Sequence, residues 1–485
     1  MHKLLLTCIL FLFLTGCMTV GPDYQRPEVV TPNNWYFSDD EVRELGGTSW
    51  WERFQDPVLN SLVGEALQGN RDLRIATARV EEFFGRYFST RGNQYPFANA
   101  GGSAYRESIT EQGANPLPPG TDTTYSNYDA FLGGTWEIDF WGKYRRASES
   151  AQAELFSTEE ARRTVVQTLV SAVALTYIEI RAMDKELEVV LATAETRKET
   201  LDLFQLRFNE GIISEVDLVQ AESEYADALA RIPSVELAIG KLENALSVFL
   251  GKNPGAIPRG LTIDELVLPA VPQGMPSDLL EGRPDIRQAE QRLVAANARI
   301  GVAKSLYFPS ISLTGNFGAA SSDLSDLSKS SAQQWDFGVP VSVPIFTAGR
   351  IGGEVKATEA SQEQALEGYL LTIQNAFREV EDALLDRTKS GQRLKALTRQ
   401  VKALRKYVKL ARQRYDEGYA SYLEVLDAER SLFNVELSYV LSQNALFRAT
   451  VNIYKTMGGN WVEAAEQTVE PAPVLEAAFF PFELK

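Results

Sequence analysis

The feature that most restricts this chain is that it is written twice. Residues 207–224, Arg207-Phe208-Asn209-Glu210-Gly211-Ile212-Ile213-Ser214-Glu215-Val216-Asp217-Leu218-Val219-Gln220-Ala221-Glu222-Ser223-Glu224, return with conservative changes as residues 414–431, Arg414-Tyr415-Asp416-Glu417-Gly418-Tyr419-Ala420-Ser421-Tyr422-Leu423-Glu424-Val425-Leu426-Asp427-Ala428-Glu429-Arg430-Ser431. Each copy spells a helix stop and then a helix start: a basic residue for the last turn, Gly for the left-handed cap, then Ser as N-cap with an acid three residues on. Two tight helix hairpins are predicted. The repeat continues at the same offset of 207 residues, pairing Leu250-Gly251 with Met457-Gly458 and Gly142-Lys143 with Gly349-Arg350. Upstream the offset becomes 213, where Asn70-Arg71-Asp72-Leu73-Arg74 meets Arg283-Pro284-Asp285-Ile286-Arg287 and Tyr95-Pro96 meets Phe308-Pro309. The longer insert of the first copy therefore lies between Pro96 and Gly142. A unit of roughly 200 residues exceeds solenoid repeat lengths and describes two halves of one architecture.

The N-terminus sets the address. Lys3 precedes the apolar run Leu4–Leu14, too short for a permanent membrane span and suited to a signal peptide over residues 1–16. It closes on Leu14-Thr15-Gly16-Cys17, which resembles a bacterial lipobox and implies cleavage before Cys17 and lipidation there. Met18 follows in place of Asp, and for such lipoproteins that implies the outer membrane. Cleavage removes the single histidine, His2, and one of the two cysteines, Cys8. Disulfides, His-dependent triads, His or Cys metal sites and a thiol nucleophile are thereby excluded, so neither a catalytic site nor a cofactor is expected. Against 48 Lys and Arg stand 65 Asp and Glu, a formal charge of −17 that disfavours nucleic acid as a partner and suits a cation-attracting surface or lumen.

Residues 17–56 read as a lipidated linker lying extended on the body, with Gly21-Pro22 and Trp50-Trp51. A helical stripe then runs from Pro57 to about Arg91, and strands are predicted at about 95–106 and 126–141. In them Ala98, Ala100, Gly102 and Ala104, and then Tyr128, Ala130, Leu132, Gly134, Trp136, Ile138 and Phe140, alternate with polar residues and carboxylates. The second half repeats the pattern at about 308–318 and 335–346, where Pro340 and Pro344 weaken the last strand. A soluble sandwich has the same alternation. The signal peptide, and Tyr95, Phe97, Trp141 and Tyr144 at the strand ends, favour a transmembrane barrel with aromatic girdles. Four strands cannot close a barrel, and open edges in lipid leave backbone groups unsatisfied, so the chain must oligomerise. Two copies supply eight strands and three supply twelve.

Residues 143–209 carry no breaker and a coiled-coil-like stripe from Val165 to Ile180, repeated in the other half from Leu366 to Leu384. Such a helix reaches roughly 100 Å at 1.5 Å per residue. The segments 57–91 and 214–250 sum to a similar length, with a kink expected at Pro233. These helices are too charged and too long for a bilayer and are expected to extend into the periplasm with the hairpin turns at their distal tip. The first repeat is taken as residues 57–282, the second as 283–460, and 461–485 as a C-terminal tail.

Trp50-Trp51, Arg283-Pro284-Asp285-Ile286-Arg287-Gln288-Ala289-Glu290, Ala296-Asn297-Ala298-Arg299-Ile300-Gly301, Phe308-Pro309-Ser310-Ile311 and Thr347-Ala348-Gly349-Arg350, in this order and with the duplication, resemble the TolC and OprM outer-membrane efflux factors of tripartite pumps. The likeness is to the lipoprotein type that serves resistance-nodulation-division transporters. It implies a mainly α homotrimer with a twelve-stranded outer-membrane β-barrel, four strands per protomer, continued by a long periplasmic α-helical barrel. It also implies a periplasmic adaptor (membrane fusion) protein and an inner-membrane transporter as partners, with no hydrolysis by the duct itself. The family's adaptor-contacting tips match Gly211-Ile212-Ile213-Ser214 closely, whereas Gly418-Tyr419-Ala420-Ser421 departs through Tyr419. An acidic pair at the positions of Glu424 and Asp427 lines the family's periplasmic constriction, and Arg414, Tyr415 and Asp217 are placed with this gate. Local chemistry offers plainer roles: Glu424 with Ser421 and Asp217 with Ser214 as capping boxes, Arg207 and Arg414 at helix C-termini. A type I secretion duct and a pore-free periplasmic coiled-coil scaffold are the alternatives; the lipobox and the motif from Arg283 favour efflux over the first, the amphipathic strands argue against the second.

Overall fold

The computed structural model describes residues 19–37, 49–110, 112, 118, 120–270, 276–459 and 461–466. Cys17, the signal segment and the tail beyond 466 lie outside the described residues. The described residues divide into two compact units, the first within Met1–Glu28, Val80–Thr158 and Ala289–Tyr369 and the second within Val29–Arg79, Glu159–Gln288 and Leu370–Lys485. In order, the elements are α1 (Pro57–Gly69), α2 (Arg71–Gly92), β1 (Phe97–Ser108), β2 (Thr124–Glu137), α3 (Lys143–Asn209), α4 (Glu215–Phe249), α5 (Pro284–Ser305), β3 (Ser310–Ser321), β4 (Gln333–Gly338), β5 (Val341–Ser342), α6 (Arg350–Asp416) and α7 (Tyr422–Met457). α3 and α6 are both 67 residues long, the duplication made visible.

In the first unit the strands form an antiparallel sheet in the order β1-β2-β3-β4, with β5 paired to β3. Cross-strand partners share a face, so the register sorts every side chain. Ala100, Leu132, Phe317 and Trp335 stand in one row, and Ala98, Gly134, Gly315 and Phe337 in the next. On the other face lie Asn99, Gly133, Asn316 and Asp336, and Ser103 beside Asp129. The predicted alternation of the four strands thus falls on a single apolar face. That face is open: Leu132, Phe317 and Trp335 are 59%, 58% and 77% exposed.

The last strand departs from expectation. Proline has no N–H to donate, and at Pro340 the ladder breaks, its carbonyl still accepting Ser312 N–H at 3.1 Å. Pairing resumes only at Val341–Ser342, and Val343–Phe346 is not strand. Two of the four expected girdle aromatics are half-buried and hydrogen-bonded: Trp141 stacks on Phe308 at 4.6 Å and donates to Pro309 O at 2.8 Å, and Tyr144 donates to Glu137 at 2.8 Å. Tyr95 and Phe97 remain exposed. The linker crosses this unit at a contact only glycine permits, since a Cβ on Gly21 would lie 2.5 Å from Gly301 Cα.

The second unit holds the core. Trp50 stacks on Tyr454 at 5.3 Å and meets Trp51, Phe54 and Trp461 edge-on. Asp56, fully buried, caps α1 through Val58 N–H at 2.8 Å and accepts from Tyr177 Oη at 2.7 Å and Leu261 N–H at 3.1 Å. The stripe from Pro57 is not one helix: Asn70 is extended (ψ 133), closing α1 and capping α2 by accepting Leu73 N–H at 3.0 Å. Helix α4 continues as helix through Pro233. Arg283, at the head of the matched motif, is buried against Asp285 and Glu379 at 2.6 and 2.8 Å and donates to Thr456 O. An 18-residue window of α3 is apolar enough to cross a bilayer, but 67% of it is buried within the fold.

Candidate functional site

The two hairpin turns lie in the second unit and obey the same local chemistry. Gly211 adopts φ +69° and Gly418 φ +77°, in the left-handed region. Around them Ile212 N–H bonds Arg207 O and Gly211 N–H bonds Phe208 O, each at 2.9 Å; the second turn repeats this with Tyr419 N–H to Arg414 O at 2.8 Å and Gly418 N–H to Tyr415 O at 2.9 Å. These are Schellman caps, which satisfy the last carbonyls of α3 and α6. The next helix starts differ. Ser214 and Asp217 form a full capping box. Ser421 makes no side-chain cap; Glu424 instead pairs with Arg414 at 3.3 Å. The expected Ser421–Glu424 box is not made; Glu424 reaches across the turn to the Arg414 guanidinium in the last turn of α6.

A small aromatic core joins the hairpins. Phe204 of α3 meets Tyr422 of α7 at 4.4 Å, Tyr422 meets Tyr415 at 5.6 Å, and Ile213 and Leu218 pack against the same cluster. Burial raises the Tyr422 phenol well above its ordinary pKa, and the nearby Glu429 charge reinforces the shift. Across this core Arg207 Nη1 donates to Tyr415 Oη at 3.0 Å, with the guanidinium 5.8 Å from the ring centre. Arg207 thus does more than favour its helix terminus. The sequence held one signal for it: the first repeat has Phe208 where the second has Tyr415, and the added hydroxyl requires a partner.

Asp427 is exposed, and among the described residues its side chain has no hydrogen bond or ion pair. Of the acidic pair, one member is held by Arg414 and the other faces solvent. At the turns Ile212 and Tyr419 are 69% and 75% exposed, whereas Ile213 turns inward to the aromatic core. Gly211 and Gly418 have open space around them, and Ala420 and Ser421 complete the second turn. No group of three or more His, Cys, Asp or Glu residues able to hold a metal ion occurs among the described residues.

A sequence profile of the "Outer membrane efflux protein" family matches residues 62–252 and 275–459, a segment from each repeat. The chain belongs to this family. Among relatives of this outer membrane efflux protein, the solvent efflux pump outer membrane protein SrpC of Pseudomonas putida is 36% identical over 458 residues, covering 93% of this chain and 97% of the relative. The probable outer membrane lipoprotein SilC of Salmonella typhimurium is 34% identical, covering 96% of this chain and all of SilC. A crystal structure of CusC, described in terms of folding and transmembrane channel formation, superposes with a TM-score of 0.82 at 34% identity over 90% of this chain and 99% of CusC. The mainly α fold with an antiparallel sheet is thus the fold of an outer-membrane efflux protein.

Proposed function

We propose that the chain is the outer-membrane exit duct of a tripartite efflux pump, conducting small molecules passively and catalysing no reaction. The observation that carries this reading is the sheet: one continuous apolar face with exposed Leu132, Phe317 and Trp335, an opposite face with Asn99, Asp129, Asn316 and Asp336 beside the aromatics Tyr105, Tyr125 and Phe131, and two edges, β1 and β4, that are unpaired among the described residues. Such a sheet is stable in lipid only if its edges are paired. Three copies meeting β1 to β4 make twelve strands around a polar lumen, in keeping with the family. Cys17 carries the lipid anchor in this reading, as the lipobox and the lipoprotein relative SilC support.

The helix hairpins form the periplasmic entrance. Gly211, Ile212, Ile213 and Ser214, with Gly418, Tyr419, Ala420 and Ser421, meet the adaptor that links the duct to an inner-membrane transporter of the resistance-nodulation-division type. The gate is built from Asp427, whose free carboxylates gather around the axis, from Glu424 held on Arg414, and from Tyr415; Asp217 serves it by capping α4. Crowded carboxylates repel one another and bind cations, so small helix shifts change the opening.

Planar-bilayer recording of the purified, acylated protein tests both parts. Stepwise trimer-sized conductances are expected, with Glu424→Ala/Asp427→Ala raising conductance and weakening block by cations. A monomer that never inserts refutes the duct, and unchanged currents in the double variant remove the gate assignment.

A further inference from the structure

On the sheet face opposite Leu132, Phe317 and Trp335, Phe131 is surrounded by glycines. The register sets Gly101 of β1 and Gly318 of β3 beside it, and Gly133 follows two residues along β2. The ring lies down over Gly101, where a Cβ would meet its Cζ and Cε1 at 2.8 and 2.9 Å. The next row reads Asn99, Gly133, Asn316 and Asp336 across the four strands. Gly133 is its buried floor. The point above it that a Cβ would take lies 2.7 Å from Asn316 Oδ1, 3.0 Å from Asn99 Oδ1 and 3.7 Å from Phe131 Cδ2. Asn316 Nδ2 donates to both carboxylate oxygens of Asp336 at 3.2 Å, which turns its own carbonyl oxygen toward that point. Asp129, bonded by the Ser103 hydroxyl, stands on the far side of the ring, two residues or about 7 Å along β2.

Two carboxamide oxygens aimed at one point attract a donor and repel an acceptor, and carboxylates on either side make a positively charged donor the better match. The aromatic face adds attraction for a cation and a stacking surface for a flat body. A ring laid over a glycine also shields the strand backbone, as cross-strand aromatics do, which accounts for Gly101 but not for the two oxygens over Gly133. Barrel closure does not cover the place. Copies meet at the edges β1 and β4, whereas β2 and β3 keep their own neighbours on both sides, and the Phe131 face of the sheet is the one turned to the lumen.

We propose that the barrel wall binds planar aromatic cations, with a charged or amino nitrogen over Gly133 between Asn99 and Asn316 and the flat body stacked on Phe131. Three copies supply three such places, so a cargo of this class is held along the wall at the exit instead of crossing bulk water. Neutral solvents lack the donor and anions meet the carboxylates, so neither is held. The proposal deepens the duct reading and rests on it for the lumen.

The test uses the full-length, acylated protein in lipid nanodiscs, with empty nanodiscs as the blank, titrated with ethidium and separately with fluorescein, a planar anion, and followed by fluorescence anisotropy. Saturable binding of ethidium alone is expected. Phe131→Leu should weaken it about tenfold, the scale of one aromatic face on a partly desolvated cation. Asp336→Asn should weaken it several-fold, whereas Asn99→Asp, which adds a carboxylate beside the bound nitrogen, should strengthen it. Gly133→Ala puts a methyl group at the nitrogen's position and should abolish it. Heat-modifiable migration of each variant establishes the folded trimer before binding is read. Ethidium held equally by the parent and Phe131→Leu, weaker binding in Asn99→Asp, or equal binding of fluorescein overturns the proposal. Bilayer conductance of the same samples separates the two ideas: a conducting protein whose ethidium binding ignores Phe131 defeats the subsite alone, and Phe131-dependent binding by a protein that never conducts defeats the duct alone.

Discussion

Removing one hydroxyl should loosen the proposed gate more than breaking its ion pair. The Arg207–Tyr415 hydrogen bond joins the two hairpins at 3.0 Å beside a buried aromatic core, and its donor is charged. Bonds of that type contribute about 1.5–3 kcal/mol, and partial exposure brings the expected loss for Tyr415→Phe to about 1 kcal/mol. If three copies open together the loss is about 3 kcal/mol, a shift of roughly a hundredfold toward the open state. The Arg414–Glu424 pair is 56% and 29% exposed, a setting in which ion pairs contribute between about 0 and 1 kcal/mol, and it lies within one hairpin, so Glu424→Gln should change opening only a few-fold. Tyr415→Phe keeps the ring that meets Tyr422 at 5.6 Å, so thermal unfolding should barely move. Single-channel open fractions, compared between these variants and Arg207→Ala, measure the effect. An open fraction in Tyr415→Phe equal to that of the parent, or smaller than that of Glu424→Gln, would show that the hairpins are not held together by this bond.

Other expectations follow from burial and backbone geometry. Trp335→Arg puts a charge on the apolar face and should cost about 2–4 kcal/mol of membrane-folded stability, whereas Asn316→Arg on the polar face should cost little; refolding into vesicles followed by heat-modifiable migration distinguishes them. Gly251 adopts φ +71° and a Cβ there would sit 2.0 Å from Gly69 O, so Gly251→Ala should destabilise by roughly 3 kcal/mol or more, while Gly211→Ala, with nothing within 4 Å, loses only the left-handed penalty of about 1 kcal/mol. Burial raises the Glu186 carboxyl pKa, partly offset by Arg231. A raised carboxyl favours the fold while protonated and loses that contribution as pH rises through its folded value, so Glu186→Gln should raise the melting temperature at pH 7 and leave it unchanged at pH 4, checked by thermal melts at both.

What the residues alone determined is whatever depends on near neighbours along the chain. The duplication, the two hairpin turns at Gly211 and Gly418, the matched 67-residue helices and the apolar face of the strands all follow from interactions spanning a few residues or from simple alternation. Tertiary structure decided which distant groups meet and which of two adequate local arrangements prevails. Glu424 had a cap available and took Arg414; Asn70 split a stripe that reads as one helix; Arg207 found a hydroxyl 208 positions away; Trp141 found the carbonyl of Pro309. In each case the local alternatives differ by about 1 kcal/mol or less, so packing and long-range partners, which no short stretch of sequence contains, settle the outcome.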